Sequence, residues 1–293
     1  MRNFGKTDMK IKRVGFGGIP IQRITQEDTN KVIDELEKCG VNFIDTARGY
    51  TVSEEYLGNA LKGRREKFYI ATKSMSRDYE SMKRDIEISL KNLQTDYIDL
   101  YQMHNVKPAE YDTLFGEDKA YRALLEAKEQ GKIKHIGITS HGLETVEKAV
   151  ESDKFETIQF PYNIVENQSD ELFERAYEKG VGTIVMKPLA GGAIDDGTLA
   201  MKYILSREYI DVAIPGMDTP EQVKENTAVL ENFELTEEER REKLQQMTDN
   251  KIRFIKEQEE LEEKQRDLFG IHLPQSAFDT ELKNATNYWL SAD

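Results

Sequence analysis

The chain has 293 residues, 38% of them hydrophobic and 33% charged, with a formal net charge of −14, a length that suits one large α/β barrel or two small domains. The acidic surplus repels nucleic acid and anionic membrane surfaces, and the single cysteine, Cys39, excludes an intrachain disulfide and a cysteine-cluster metal site. No stretch approaches the roughly 20 apolar residues that span a bilayer, and residues 1–6 begin no secretory segment, so a soluble, cytoplasmic protein is expected.

Residues 1–12 alternate weakly around Gly5 and Asp8, which suits a short β-hairpin capping something larger. Val14-Gly15-Phe16-Gly17-Gly18 reads as a strand entering a glycine-rich turn. Thr25 is placed to cap a helix over about 27–39, with Val32, Ile33 and Leu36 at helical spacing and Gly40 as its stop. Cys39, at the end of that helix, reads as a small buried packing residue. A strand at 42–45 follows. Further helices are expected near 53–61, 79–93, 119–130, 143–151, 170–179, 198–206 and 220–229, alternating with strands near 68–73, 98–104, 135–140, 157–160, 183–186 and 212–214.

Eight strands, each followed by a helix, must run parallel and close most naturally into a (β/α)8 TIM barrel. An open doubly wound sheet fits less well, because the turn at Gly15-x-Gly17-Gly18 lacks the G-x-G-x-x-G spacing. The barrel is assigned to residues 1–235. Residues 236–293 read as a charged C-terminal extension of one or two exposed helices, opened by a capping box at Thr236-x-x-Glu239 and ending in a tail with Tyr288 and Trp289.

Three apolar runs end in polar groups: Asn42-Phe43-Ile44-Asp45 with Tyr50 beyond it, Phe68-Tyr69-Ile70-Ala71-Thr72-Lys73, and Ile98-Asp99-Leu100-Tyr101-Gln102-Met103-His104. In a barrel the carboxyl ends of the strands meet around one pocket, so Asp45, Tyr50, Lys73 and His104 converge there. A phenol, an ammonium that lowers its pKa, a carboxylate that holds the ammonium and a histidine that orients a carbonyl suit protonation of a carbonyl oxygen as hydride reaches its carbon. Taken singly, each also suits a plain role, a salt bridge at the barrel top or a hydrogen-bonded core histidine.

These residues resemble the aldo-keto reductase family: Asp45-Thr46-Ala47 with Tyr50 and Ser53-Glu54, the lysine of Ile70-Ala71-Thr72-Lys73, and the histidine closing Asp99-Leu100-Tyr101-Gln102-Met103-His104. The resemblance spans about residues 4–230. It implies an NAD(P)H-dependent reductase of small-molecule aldehydes or ketones, with Tyr50 as proton donor assisted by Lys73, Asp45 and His104. Thr51 departs from the pattern, standing where many members have glycine.

The second half of the resemblance concerns the cofactor. It implies contacts to the nicotinamide carboxamide from Ser140, from His141 in place of asparagine, and from Gln159, with Gly18 near the same end. Met186 stands where many relatives stack a tyrosine, and Lys187, Pro188, Leu189 and Gly191 continue that segment. Gly216, Met217 and Gln222 fall where NADPH-preferring relatives grip the 2′-phosphate with Lys and Arg, and Glu225 and Asn226 match adenine-side residues. Without that clamp, NADH is expected to serve at least as well as NADPH. Read without the family, Ser140 also suits a helix N-cap, Gln159 a buried polar residue and Met186 core. The nearest likeness is to a bacterial branch that often carries a C-terminal iron–sulfur segment, which one cysteine cannot ligate.

Other readings are a Schiff-base aldolase using Lys73 and a nucleotide-binding regulatory subunit with little turnover. A metal hydrolase is disfavoured because His104, His135, His141 and His272 show no ligand spacing. No metal or membrane partner is expected, and the assembly expected is a monomer or a weak homo-oligomer.

Overall fold

A computed structural model describes residues 1–239 apart from 193 and 195. The expected tail, with Tyr288, Trp289 and His272, and the expected helices past residue 239 lie outside the described residues.

A two-stranded antiparallel hairpin opens the chain, β1 (Arg2–Asn3) paired with β2 (Lys10–Ile11). Eight parallel strands follow: β3 (Phe16–Gly17), β4 (Phe43–Asp45), β5 (Tyr69–Ser74), β6 (Ile98–Met103), β7 (Ile133–Thr139), β8 (Thr157–Pro161), β9 (Gly182–Met186) and β10 (Val212–Ala213). They pair in sequence order from β3 to β10. Helices alternate with them: α1 (Gln26–Lys38), α2 (Ser53–Ala60), α3 (Tyr79–Leu93), α4 (Ala120–Glu129), α5 (Leu143–Glu151), α6 (Asp170–Glu178), α7 (Gly197–Leu205) and α8 (Pro220–Ala228).

Parallel bridges Val14–Ala213 and Gly17–Gly216 close the sheet on itself, with Gly15 N donating to Ala213 O at 2.8 Å and Gly17 N to Pro215 O at 2.9 Å. This seam explains glycines that read as a turn in the sequence. A Cβ at Gly17 would stand 2.8 Å from Ile214 O, too close for any side chain. The strands therefore form the (β/α)8 barrel expected from their alternation with helices.

Helix starts follow short polar caps. Thr25 accepts from Asp28 N at 3.1 Å, Asp78 from Ser81 N at 2.9 Å and Asp196 from Leu199 N at 2.9 Å, each satisfying a donor that the first turn leaves unpaired. Cys39 caps the end of α1 half-exposed, not buried, because the helix stops there and turns at Gly40. Thr236 and Glu239 exchange reciprocal capping bonds of 2.9 and 3.1 Å, and Glu239 pairs with Lys202 at 3.0 Å.

Strand alternation sorts the barrel interior into two levels. The lower level is apolar: Phe43, Ala71, Leu100, Ile184 and Val212 pack with Ile214 and with Phe4, Met9 and Ile11 from the hairpin, which plugs the barrel floor. Phe4 meets Phe43 edge-on, 5.5 Å between centroids, and full burial of a side chain this size contributes about 1.5–3 kcal/mol. Two residues further along β4, β5, β6, β7 and β8 the same face carries Asp45, Lys73, Gln102, Thr139 and Gln159, all buried. The register joins Lys73 to Gln102 and Thr139 to Gln159. A polar ring thus lies one level above a greasy floor, toward the carboxyl ends of the strands. No helix among the described residues is long and apolar enough to cross a membrane.

Candidate active site

β4 and β5 lie side by side, with Asp45 opposite Ala71, and this brings Lys73 against Asp45. Lys73 Nζ donates to Asp45 Oδ2 at 2.6 Å and to Thr46 O at 2.8 Å, and both side chains are almost wholly buried. Burial works against the Lys73 ammonium, but Asp45 and Tyr50 more than offset it and hold its pKa above the ordinary lysine value. Burial holds the Asp45 carboxyl above its ordinary value although Lys73, Gln159 and Gln102 all favour the carboxylate. The raised lysine is the direction that follows from a 2.6 Å contact: the pair is an ion pair.

Tyr50 stands on the loop after β4. Arg48 N donates to Lys73 O at 3.0 Å, Tyr50 N to Ala47 O at 3.0 Å and Ser53 N to Tyr50 O at 2.7 Å, so the main chain holds the loop at both sides of the tyrosine. Glu54, buried on α2, accepts from Thr72 at 2.8 Å and Ser89 at 2.7 Å through Oε1, and from Arg48 at 3.1 Å and Asn92 at 3.2 Å through Oε2. Thr51 adopts φ +38°, a left-handed conformation that glycine adopts without strain. The departure from the family pattern there carries a local cost of about 1–2 kcal/mol.

Lys73 Nζ sits 4.7 Å from the centroid of the Tyr50 ring, and His104 meets that ring edge-on at 5.9 Å and 85°. Burial pushes the Tyr50 phenol above its usual value, outweighing the Lys73 ammonium that pulls it down. This corrects the expectation of a lowered pKa. His104 is pushed down to about 3 by burial, then by Lys73, Arg77 and His141, so its imidazole is neutral. The four strand-end residues are therefore brought together.

Two further residues serve this cluster without a sequence role assigned to them. Arg77 Nη2 donates to His104 O at 2.9 Å and approaches Glu110 Oε2 at 3.2 Å, tying down the end of β6. Gln102 Nε2 donates to Asp45 Oδ1 at 3.3 Å and to Gln159 Oε1 at 3.0 Å. Its signal in the sequence is a polar side chain on the inward face of an apolar strand, two residues before His104.

The residues that the resemblance assigned to a cofactor line the same end of the barrel. Gln159 is buried in the polar ring. Ser140 is buried at the end of β7, where its hydroxyl donates to Val106 O at 2.6 Å and accepts from Gly142 N at 2.9 Å, so it shapes the turn that leads into α5. His141 is exposed, and burial of part of its ring, then Lys187 and Lys107, lower its pKa. Gly18 N donates to Asp45 O at 2.7 Å, and a Cβ there would stand 2.8 Å from that oxygen.

Beyond half-buried Met186, the segment Lys187-Pro188-Leu189-Ala190-Gly191-Gly192 turns with left-handed backbone at Lys187, Ala190, Gly191 and Gly192. A Cβ at Gly191 or Gly192 would meet nothing within 4 Å among the described residues, so these leave the rim open. Gly216 bridges Gly17, and Met217 is fully buried. Gln222 Oε1 accepts from Asp218 N at 2.7 Å, Asn226 Nδ2 donates to Gln222 O at 2.9 Å, and Glu225 is exposed. A buried amide, a half-buried thioether and an open glycine rim suit a flat, amide-bearing ring with a long polar tail. None of the side chains from Gly216 to Asn226 is cationic except Lys224, which lies 4.0 Å from Glu35. Among the described residues no cluster of His, Cys, Asp or Glu is arranged to hold a metal ion.

A sequence profile of the Aldo/keto reductase family matches residues 13–199. L-Galactose dehydrogenase of Arabidopsis thaliana is 26% identical over 285 residues, covering 80% of this chain and 89% of that protein. The NADH-specific methylglyoxal reductase of Escherichia coli (strain K12) is 28% identical over 231 residues, covering 68% of this chain and 70% of that protein. Among solved structures, an aldo-keto reductase from Bacillus halodurans in its holo form superposes with a TM-score of 0.72 at 27% identity, over 84% of this chain and 95% of that one. With a profile match over more than half its length on this barrel, the chain belongs to the aldo/keto reductase family of NAD(P)H-dependent oxidoreductases.

Proposed function

We propose that this protein reduces the carbonyl group of a small aldehyde or ketone to an alcohol, with Tyr50 as the proton donor. The observation that carries the reading is the contact of Lys73 Nζ with Asp45 Oδ2 at 2.6 Å while the same nitrogen sits 4.7 Å from the Tyr50 ring centroid. Gln159, Met186 and the Gly191 rim would hold a reduced nicotinamide, which would supply the hydride for the carbonyl carbon. The Tyr50 hydroxyl gives its proton to the carbonyl oxygen as that oxygen gains charge. Lys73, kept charged by Asp45, stabilises the phenolate left behind, and neutral His104 orients the carbonyl by a hydrogen bond rather than as an acid.

The short Lys73–Asp45 contact argues against an imine-forming lysine, which must shed its proton to attack a carbonyl. The relatives carry names for a sugar dehydrogenase and a methylglyoxal reductase, so small polar carbonyl compounds head the substrate panel. The deciding experiment assays that panel with NADH and NADPH beside Tyr50→Phe. The variant is expected to keep cofactor affinity and lose roughly 10²-fold or more in kcat. Unchanged turnover in Tyr50→Phe sinks the assignment of the acid, and imine trapping by borohydride at Lys73 would favour the aldolase instead.

A further inference from the structure

Gln102, in the polar ring inside the barrel, is a side chain that the chemistry above does not use. Gln102 is fully buried on β6, in register with Lys73 on one side and Gly137 on the other. Gly137 leaves room for it: a Cβ there would stand 3.1 Å from Gln102 Cγ and 2.2 Å from Thr157 Oγ1. Gln102 Nε2 bridges two acceptors, Asp45 Oδ1 at 3.3 Å and Gln159 Oε1 at 3.0 Å, while its own Oε1 is buried with no partner among the described residues. An unsatisfied buried acceptor is destabilising, and a methionine would fill a similar volume without that cost. Packing alone therefore does not account for an amide at this position.

We propose that Gln102 is a positioning residue that joins the two halves of the site, holding the Asp45 carboxylate with one N–H and the Gln159 amide with the other. The proposal rests on the reading above, in which Tyr50 is the acid and Gln159 meets the cofactor. One side chain then sets both the aim of Lys73, through Asp45, and the orientation of the amide that receives the nicotinamide. Loss of its NH2 leaves the Gln159 amide only its own interaction with Asp45 and loosens both. The ammonium is then less firmly aimed at Tyr50, and the phenol ionises at a higher pH.

The test uses the full chain with Gln102→Met, Gln159→Met and the double variant. Affinity for NADH is measured by calorimetric titration, and kcat/KM is followed against pH. Gln159→Met is expected to weaken NADH binding by roughly tenfold, and Gln102→Met by about three- to tenfold. The double variant should bind no more weakly than Gln159→Met, within about twofold, because the first residue acts through the second. Gln102→Met should also move the alkaline limb of kcat/KM upward, a change that a purely structural role would not produce. The proposal is overturned if Gln159→Met weakens binding while Gln102→Met leaves both affinity and limb unmoved, or if the two losses simply add. Unchanged affinity in Gln159→Met instead removes Gln159 from the cofactor site, which is a failure of the underlying reading. Gln102→Asn is one methylene shorter and cannot reach both acceptors, so it gives the same two readouts should Gln102→Met fail to fold.

Discussion

The His104 and Tyr50 rings meet edge to face, 5.9 Å between centroids and 85° between planes, with His104 neutral because burial and neighbouring cations hold its pKa at about 3. A proposed acid that is raised and a histidine that is already neutral predict a one-sided pH profile. Between about pH 5 and 8 neither group changes charge, so kcat/KM should be flat there and fall only on the alkaline side as Tyr50 ionises. His104→Asn should lower kcat/KM by roughly tenfold or more without creating or removing an acid limb. An acid limb near pH 6.5 that disappears in His104→Asn would show that the imidazole titrates in the reaction.

The buried Lys73–Asp45 pair predicts an asymmetric response to mutation. Removing one partner leaves an uncompensated charge in the barrel, so Lys73→Met or Asp45→Leu alone should cost about 3–5 kcal/mol of stability. The double variant should recover much of that loss, since an apolar pair of similar volume carries no desolvation penalty. Urea melts of the four proteins form the cycle. Turnover should be low in all three variants, because stability returns without the ammonium. Strict additivity of the two losses would contradict the pairing.

How far the sequence led is best judged from particular residues. Asp45, Lys73 and His104 were legible because a polar residue at the end of an apolar strand has one destination in a parallel barrel, its carboxyl-end pocket. The hairpin was legible from Gly5 and Asp8, but its task of plugging the barrel floor depends on Phe4 meeting Phe43, a contact across 39 positions that no local pattern encodes. Gly15 and Gly17 read as a turn because the closure of β3 on β10 is a long-range fact. The direction of the Tyr50 shift is not legible for a related reason: the sequence shows the ammonium beside it, whereas the burial that outweighs it arises only from the assembled loop. The role of Gln102 is not legible in the sequence because its two partners lie on strands β4 and β8, distant in sequence.

Cofactor choice supplies a third prediction. Gln222 Oε1 accepts from Asp218 N at 2.7 Å, and Asp218 and Glu221 stand beside it in the segment that the resemblance assigns to the 2′-phosphate. A phosphate dianion gains no charge-assisted bond from these groups. Dissociation constants for NADH and NADPH should therefore lie within a hundredfold of each other or favour NADH. Gln222→Arg should tighten NADPH by about tenfold with little effect on NADH. A hundredfold preference for NADPH in the unaltered protein would sink the idea.

At the other end of the barrel, His135 Nε2 meets Asp8 Oδ1 at 2.8 Å and Nδ1 meets Glu156 Oε1 at 2.7 Å, linking the hairpin to β7 and the residue before β8. Burial opposes the imidazolium, but Glu156 and Asp8 outweigh it and raise the His135 pKa. Glu156, which burial pushes up while His135 and Lys128 pull down, ends at about 2. A histidine raised on folding binds its proton more tightly in the folded state. Its contribution is fully present below the unfolded value of about 6.5 and is lost as pH rises through the higher folded value. The site is partly open to solvent, so the effect should be modest, about 1 kcal/mol or less. Urea melts of the unaltered protein and His135→Gln at pH 5.5 and 8.5 test it: the gap between them should be present at pH 5.5 and shrink at pH 8.5. A gap that widens at high pH would reverse the sign and show that His135 is held neutral.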